Sequence, residues 1–243
     1  AVMLLFFICL KLTRSRIASV TAALTFGFSA TFWSQAVVAE VYTLHIFFFA
    51  LNILILLHWK EKQDAGDLKH IKWLYLFSFT YGLSLTNHIT SVLFFPGFAY
   101  FILVEKHEKW FKIRLNKDVL KLKVVFICLG LFLIGLLPYA YLLIINNTTS
   151  WKYANISSFF DLFWHVSGKE YRQFMRFDKL FTNLSNLLIS SEGIILRMGV
   201  AGMIFLLIKS LKKDLKFFIF FILLIIIVIF NVISYNIGDI VNY

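Results

Sequence analysis

The sequence predicts an all-α polytopic membrane protein, because of its composition and the length of its apolar runs. Of the 243 residues, 60% are apolar and 15% are charged. Soluble domains are typically about half apolar and about a quarter charged. Several uninterrupted apolar runs approach the roughly 20 residues that a helix needs to cross a bilayer. Composition and run length together therefore predict a bundle of membrane-spanning helices.

The apolar runs divide a single transmembrane domain, residues 1–243, into expected spans. They lie at 1–10 (partial), 17–35, 37–58, 73–86, 89–104, 124–145, 194–209 and 217–235, with an outer loop at 146–193 that carries interfacial helices. Residues 17–58 as one helix would measure about 63 Å, so we expect a turn near Trp33–Glu40. The polar break Thr86–His88 likewise divides residues 73–104 into two short helices.

The first full span is rich in small residues. Eleven of the 18 residues 17–34 are Ala, Ser, Thr or Gly. Small residues let helix backbones approach closely in lipid, where apolar attraction between helices is weak. We therefore expect this helix to be central in the bundle.

Basic residues predict which way the chain faces. The net charge is +11, and 18 of the 24 Lys and Arg residues lie in segments 11–16, 59–72, 105–123 and 209–216. These segments share one side if the spans alternate, and the positive-inside rule places that side in the cytoplasm. The same distribution explains the charge without nucleic acid, so we expect no nucleic-acid partner. The polar motifs then face outward.

Glu40 is the first candidate site residue. It is the one formally charged residue between Ile17 and Leu57, and an acidic side chain at membrane depth is costly and marks a functional hypothesis. With the neighbouring Tyr42 it could bind sugar hydroxyls, orient a base or pair with an Arg. Alternatively, Glu40 simply faces interfacial water or fixes helix packing.

Asn87 and His88 form the second candidate, at the outer tip of two short helices. Irregular backbone at membrane depth is tolerated where it lines a cavity, and a neutral imidazole can donate one hydrogen bond while accepting another. The alternative is a capped turn with a solvated histidine.

Charged residues of the outer loop and the last segment complete the candidates. The sequence HVSGKEYR supplies His165, Lys169 and Arg172, cations that could hold a lipid phosphate; an ordinary charged helix face is the alternative. Asp239 is a further acid on the outer face. The sequence contains no metal-ligand spacing and no phosphate loop, so no cofactor is evident, although a divalent metal stays open.

The motifs together resemble a known family. Residues 28–59, FSATFWSQAVVAEVYTLHIFFFALNILILLHW, and 74–103, LYLFSFTYGLSLTNHITSVLFFPGFAYFIL, are similar to glycosyltransferase family 117, membrane proteins related to protein O-mannosyltransferases. The later FFDLFWHVSGKEYRQF and YNIGDIVNY resemble further segments of that family, in the expected order.

The resemblance implies a GT-C-like transmembrane helix bundle with its active site on the non-cytoplasmic face. It implies a polyprenyl-phosphate-linked sugar, with mannose as the first candidate, as donor and a hydroxyl acceptor, Ser or Thr of a polypeptide. On this basis Glu40 and Tyr42 lie near sugar or acceptor, Asn87 and His88 line the cavity, and Lys169 or Arg172 lies near phosphate.

One family feature has no counterpart. The acidic Asp-x-Gly-Glu-like motif, the family's candidate catalytic base, is absent, and the chain begins within what resembles the second family span. We therefore expect a piece of a longer protein that is inactive alone. Residue usage favours a bacterial cytoplasmic membrane over the endoplasmic reticulum of a eukaryote. A transporter or lipid flippase, and a non-catalytic scaffold, are the alternative functions.

Overall fold

The computed structural model describes residues 1–109, 112–148, 156, 158–169, 181–182, 185 and 215–234. The helices are α1 (Val2–Thr13), α2 (Arg16–Gly27), α3 (Ala30–Ala36), α4 (Tyr42–Asp64), α5 (Ile71–Asn87), a 3-10 helix (Ile89–Phe94), α6 (Phe95–Leu103), α7 (Leu122–Gly135), α8 (Pro138–Thr148), α9 (Phe159–Val166) and α10 (Leu215–Ser234). Strands β1 (Val104–Lys109) and β2 (Lys112–Leu115) precede α7. The expected span 194–209 and most of the loop 146–193 lie outside the described residues.

Within the described ranges, two helical stretches are long and apolar enough to cross a membrane. They are α4 and the stretch Leu122–Ile145, which runs through α7 and α8. A third is obtained if α2 and α3 are counted as one span. The prediction of a mostly helical chain is thus confirmed, with two or three apolar helices that are long enough to span a membrane.

The segment from α2 to α3 is bent rather than straight. The two helices meet at 60°, and the break falls at Phe28 and Ser29. The Ser29 hydroxyl donates to the Phe26 carbonyl at 2.8 Å and accepts from the Phe32 N–H at 3.3 Å. A serine that caps the next helix in this way competes with continued helix, so the sequence itself stabilises the bend.

The expectation that α2 is central is wrong for the described structure. Ile17 is 82% exposed and Leu24 is 49% exposed, whereas Ser19 and Ala23 are buried. Gly27 faces α1, since a Cβ at this position would lie 3.2 Å from a methyl of Val2. The small residues therefore serve one close contact with α1, and the rest of the helix surface stays open.

A β-hairpin departs from the all-α prediction. β1 and β2 pair antiparallel, with Val104 opposite Leu115. Arg114 Nε lies 3.2 Å from Glu105 Oε2 across the strands. Residues 104–109, VEKHEK, hold five polar side chains in a row, so the segment has no apolar stripe to bury as a helix. Cross-strand pairing satisfies its backbone instead.

The chain divides into two compact units. Unit 1 comprises residues 1–92 and 118–167, and unit 2 comprises residues 93–117 and 168–243. In unit 1, α5 packs against both α4 and α7, and α4 also packs against α1. In unit 2, α6 packs against α10. The candidate residues of the α4–α5 region all belong to unit 1.

A buried hydrogen bond links α4 and α5 in the core of unit 1. Thr80 Oγ1 donates to Asn52 Oδ1 at 2.8 Å. Both residues are buried: Thr80 is 7% exposed and Asn52 is 1% exposed. Thr80 Oγ1 also lies 3.0 Å from the Leu76 carbonyl. A polar pair between helices fixes their rotation, because a slipped register would leave an amide without its partner.

We expect Asn52→Leu to destabilise the full-length protein modestly. Hydrogen bonds between membrane helices contribute about 0.6 kcal/mol on average, so the expected coupling with Thr80→Val is about 0.5–1.5 kcal/mol. The measurement is a double-mutant cycle on the free energy of unfolding in detergent. A coupling energy of zero would contradict a stabilising Asn52–Thr80 bond.

Candidate functional site

Polar and aromatic side chains meet where α4 begins and α5 ends. The Asn87 amide donates to the Val41 carbonyl at 3.2 Å, which ties the two helix ends together. The His88 ring centroid lies 5.8 Å from that of Tyr42 and 4.7 Å from that of His45. We call this group the histidine corner; its members are Tyr42, His45, Asn87, His88, Thr90 and Ser91.

The local sequence explains why the chain turns at His88. This residue has extended backbone, with φ −151°, and its N–H closes α5 on the Ser84 carbonyl. The 3-10 helix starts at the next residue, and Tyr81 donates from its hydroxyl to the Ser91 carbonyl at 3.1 Å. The polar break expected at residues 86–88 is therefore a sharp helix end that is anchored from inside α5.

One hydroxyl connects the two imidazoles, and a second contacts His45 alone. Thr90 Oγ1 lies 2.6 Å from His88 Nδ1 and 3.4 Å from His45 Nε2. Ser91 Oγ lies 3.3 Å from His45 Nδ1. His45 is half-buried and Ser91 is buried. The corner is thus a connected network of neutral groups rather than a set of separate polar side chains.

Burial lowers the pKa of His88 below its ordinary value of 6.5. The folded protein therefore keeps this imidazole neutral at a pH at which the unfolded chain already binds a proton. The stabilisation from the neutral form is present above about pH 6.5 and is lost as the pH falls toward the lowered folded pKa.

This pH dependence is testable by substitution. We expect acidification from pH 7.5 to pH 5.5 to lower the thermal unfolding midpoint of the full-length wild-type protein by more than that of His88→Gln, because glutamine does not titrate. The measurement is thermal unfolding in detergent at both pH values. Equal falls in the two proteins would show that His88 titrates as it does in the unfolded chain.

Glu40 lies beside the corner but outside its network. It sits in the segment between α3 and α4, where its backbone N–H donates to the Val38 carbonyl at 2.9 Å. The residue is exposed, and within the described part of the chain its carboxylate forms no ion pair. The carboxylate is therefore available to solvent, two residues before Tyr42, which is 38% exposed.

The remaining candidates lie elsewhere or outside the described residues. His165 is half-buried in α9, which packs against α8. A capping box between Ser158 and Asp161 starts α9. Lys169 is exposed and follows Gly168, whose φ of +66° turns the chain. Arg172 and Asp239 lie outside the described residues.

The other end of α4 carries charge. Lys11 of α1 forms an ion pair with Glu61, and its Nζ lies 3.3 Å from His58 Nδ1. α4 has 23 residues and is thus about 34 Å long. The histidine corner and this basic end are separated by a distance close to the thickness of a hydrocarbon core.

Comparison with known proteins identifies the segment that holds the corner. Residues 6–111 match the family model described as the protein O-mannosyl-transferase TMEM260 N-terminal domain. The predicted O-mannosyltransferase-like resemblance is confirmed. A relative from Mus musculus, protein O-mannosyl-transferase TMEM260, is 28% identical over 176 residues. That alignment covers 72% of this chain and 24% of the relative, so the chain spans about a quarter of that relative's length. No solved structure matches the chain significantly.

The TMEM260-like segment contains every residue of the histidine corner, including three that were absent from the sequence-based candidates. These are His45, Thr90 and Ser91. His45 lies one helical turn after Tyr42, and residues three apart on a helix share a face; this spacing was the available signal. Thr90 and Ser91 follow His88 too closely in sequence for their contact with His45 to be foreseen without the fold.

A metal site is not visible in the parts of the chain that the structure describes. No three His, Cys, Asp or Glu side chains there are close enough to hold an ion. The two corner imidazoles use three of their four ring nitrogens on hydroxyls. One ring nitrogen, His88 Nε2, therefore remains for a hydrogen bond to a ligand.

Proposed function

We propose that the protein is a multi-pass membrane glycosyltransferase with a GT-C-like helix bundle. It transfers a sugar, with mannose as the first candidate, from a polyprenyl-phosphate donor to a Ser or Thr hydroxyl of a polypeptide on the non-cytoplasmic face. The observation that carries this proposal is the match of residues 6–111 to the TMEM260 N-terminal domain, the segment in which the histidine corner forms.

The two ends of α4 support the proposed orientation. The Lys11–Glu61 end belongs to the basic segments 11–16 and 59–72, and the histidine corner lies at the opposite end. Basic segments favour the cytoplasmic side, so the corner faces the non-cytoplasmic side, where a translocated polypeptide is met. A bacterial cytoplasmic membrane is the proposed location.

The chemistry follows from the resemblance and from the exposed groups of the corner. A carboxylate of the full-length protein takes the proton from the acceptor hydroxyl, whose oxygen forms a bond to the anomeric carbon. The bond from that carbon to the phosphate oxygen breaks, and the phosphate leaves with the electron pair. General-base assistance of this kind typically contributes about 10²–10⁴ in rate.

The candidate residues divide between the sugar and the phosphate. Glu40 and Asn87 bind polar groups of the sugar or acceptor, beside the ring of Tyr42. His165, Lys169 and Arg172 lie in the segment that we assign to the lipid phosphate, since cations stabilise a departing phosphate. Asp239 is assigned to the same outer face. Membrane lipid surrounds the spans and delivers the donor laterally.

The test is transfer of mannose from polyprenyl-phosphate-mannose to a Ser/Thr-containing peptide by the full-length protein in vesicles. A hydrogen bond to a charged group contributes about 1.5–3 kcal/mol, so we expect Glu40→Gln to lower the transfer rate about 10- to 100-fold without changing thermal unfolding.

Asp118→Asn is the matched control. Asp118 is another solvent-accessible carboxylate, paired with Lys121 at 2.8 Å in a segment expected on the cytoplasmic side. We expect wild-type transfer from this variant. A wild-type protein that moves the lipid-linked sugar between leaflets without transferring it would identify a flippase and contradict the proposal.

A further inference from the structure

The contacts of His88 determine which ring nitrogen carries its proton. Two groups of Thr90 lie within reach of His88 Nδ1: the backbone N–H at 3.4 Å and the side-chain Oγ1 at 2.6 Å. A backbone N–H can only donate, so Nδ1 must be an acceptor and carry no proton. The neutral ring then has its proton on Nε2, an assignment made from the network.

His45 completes this arrangement from α4. A threonine hydroxyl has one proton, and donation to His88 Nδ1 leaves Thr90 Oγ1 as an acceptor for His45 Nε2–H at 3.4 Å. Ser91 Oγ has two acceptors at 3.3 Å, His45 Nδ1 and the Ser84 carbonyl. The Ser84 carbonyl already accepts from the His88 N–H at 3.1 Å, so the Ser91 proton can be donated to His45 Nδ1. This arrangement is consistent with the His88 tautomer that the Thr90 backbone N–H favours.

His88 Nε2 is available to bind a ligand. No hydrogen-bond partner of Nε2 occurs among the described residues, and Nε2 is not one of the buried atoms that lack a partner there. The Tyr42 ring lies beside the His88 ring, with 5.8 Å between the two centroids. An accessible N–H next to an exposed aromatic ring presents an apolar surface with a directed polar group, as small-molecule sites do.

We propose that Thr90 and His45 hold His88 as a neutral Nε2–H donor, and that this N–H binds a hydroxyl of the transferred sugar. Thr90 and His45 are positioning residues, since they act through His88. A neutral donor suits an uncharged hydroxyl oxygen, whereas phosphate recognition favours cations. The assignment to a sugar rests on the proposed function; the tautomer does not.

The tautomer is tested on the full-length protein in detergent, by ¹⁵N NMR of its labelled imidazoles. The His88 signals are those that disappear in His88→Gln. At pH 7 we expect a protonated Nε2 and an unprotonated Nδ1. Thr90→Val removes the hydroxyl at 2.6 Å and keeps only the longer backbone N–H contact at 3.4 Å, so we expect part of the population to shift to the other tautomer. A protonated Nδ1 in the wild type, or an unchanged spectrum in Thr90→Val, would overturn the positioning role.

The ligand is tested in the same samples with two probes. Polyprenyl-phosphate-mannose is expected to shift the His88 Nε2–H signal, and polyprenyl phosphate without sugar is expected to leave it unchanged. Equal shifts with both lipids would assign His88 to the phosphate and overturn the sugar contact. The absence of any shift would also overturn the sugar contact. Both readouts work without catalysis, so loss of the proposed transfer activity is distinguishable from failure of this inference.

Kinetics supply a further measurement where transfer is observed. A lost neutral hydrogen bond costs about 0.5–1.5 kcal/mol, so His88→Leu is expected to raise KM for polyprenyl-phosphate-mannose about 3- to 10-fold. His88→Gln is expected to restore part of the loss because its amide can donate. The control is Thr86→Val, whose hydroxyl bonds the Leu83 carbonyl at 2.8 Å near the end of the same helix. An equal rise in KM for Thr86→Val would show that the effect of His88→Leu comes from a destabilised helix end, and would contradict the proposal.

Discussion

Replacing Gly82 by alanine is expected to destabilise the protein by about 3 kcal/mol, the upper range for overpacking of a filled core. A Cβ at Gly82 would lie 2.3 Å from the backbone oxygen of Phe132 in α7. Gly135 meets α5 in the same way, because its Cβ would lie 2.4 Å from the Phe79 oxygen and 2.8 Å from the Leu83 nitrogen. Backbone atoms cannot rotate away as a side chain can, so the two helices must separate.

The same helix provides the control. Nothing lies within 4 Å of a Cβ built at Gly130 of α7, and alanine is favoured over glycine in a helix by about 1 kcal/mol. We therefore expect Gly130→Ala to be neutral or slightly stabilising, while Gly82→Ala and Gly135→Ala unfold at lower temperature in detergent. Unfolding midpoints that are equal for all three variants would contradict close α5–α7 contact.

Replacing Phe101 by alanine is expected to be similarly severe in unit 2. Phe101 is fully buried, its ring centroid lies 4.4 Å from that of Phe220, and Lys216 Nζ lies 4.5 Å above it. Phe-to-Ala changes in soluble cores cost about 3–5 kcal/mol. In a membrane, the part of this cost that comes from transferring the side chain out of water is smaller, because lipid tails are as apolar as the core. We therefore expect Phe101→Ala to lower the free energy of unfolding by about 3 kcal/mol.

Phe95→Ala is the matched control for Phe101→Ala. Phe95 is the first residue of α6 and is 58% exposed, so removing its ring leaves no cavity. We expect the thermal unfolding midpoint of Phe95→Ala to stay close to that of the wild type, while Phe101→Ala lowers it. A Phe101→Ala protein as stable as Phe95→Ala would show that α6 and α10 do not pack through this ring.

The functional candidates were predictable where one residue stands out from an apolar background. Asn87 and His88 interrupt a long apolar run, and the structure places them at the end of α5, in contact with the start of α4. Glu40 was detectable for the same reason, and its exposure is consistent with the cost of burying a carboxylate. His45 was missed because a single histidine inside an apolar helix gives no such contrast.

Local secondary structure departed from expectation where short-range chemistry competes with apolar length. The capping serine at Ser29 bends a run that length alone would make one span. The hairpin at residues 104–115 forms in a segment that was expected to be a loop, because cross-strand hydrogen bonds satisfy a polar backbone that has no apolar stripe. Apolar length indicates that a segment is helical, but it does not locate breaks within it.

By itself, the sequence determined the helical class, the membrane character and the O-mannosyltransferase-like resemblance, since these depend on composition, apolar run length and short motifs. Only the tertiary structure decided that Gly82 and Gly135 touch backbone to backbone, and that His45 reaches His88 through Thr90. Residues 45 and 90 are brought together by helix packing. Their contact is a property of the fold and not of any local stretch of sequence.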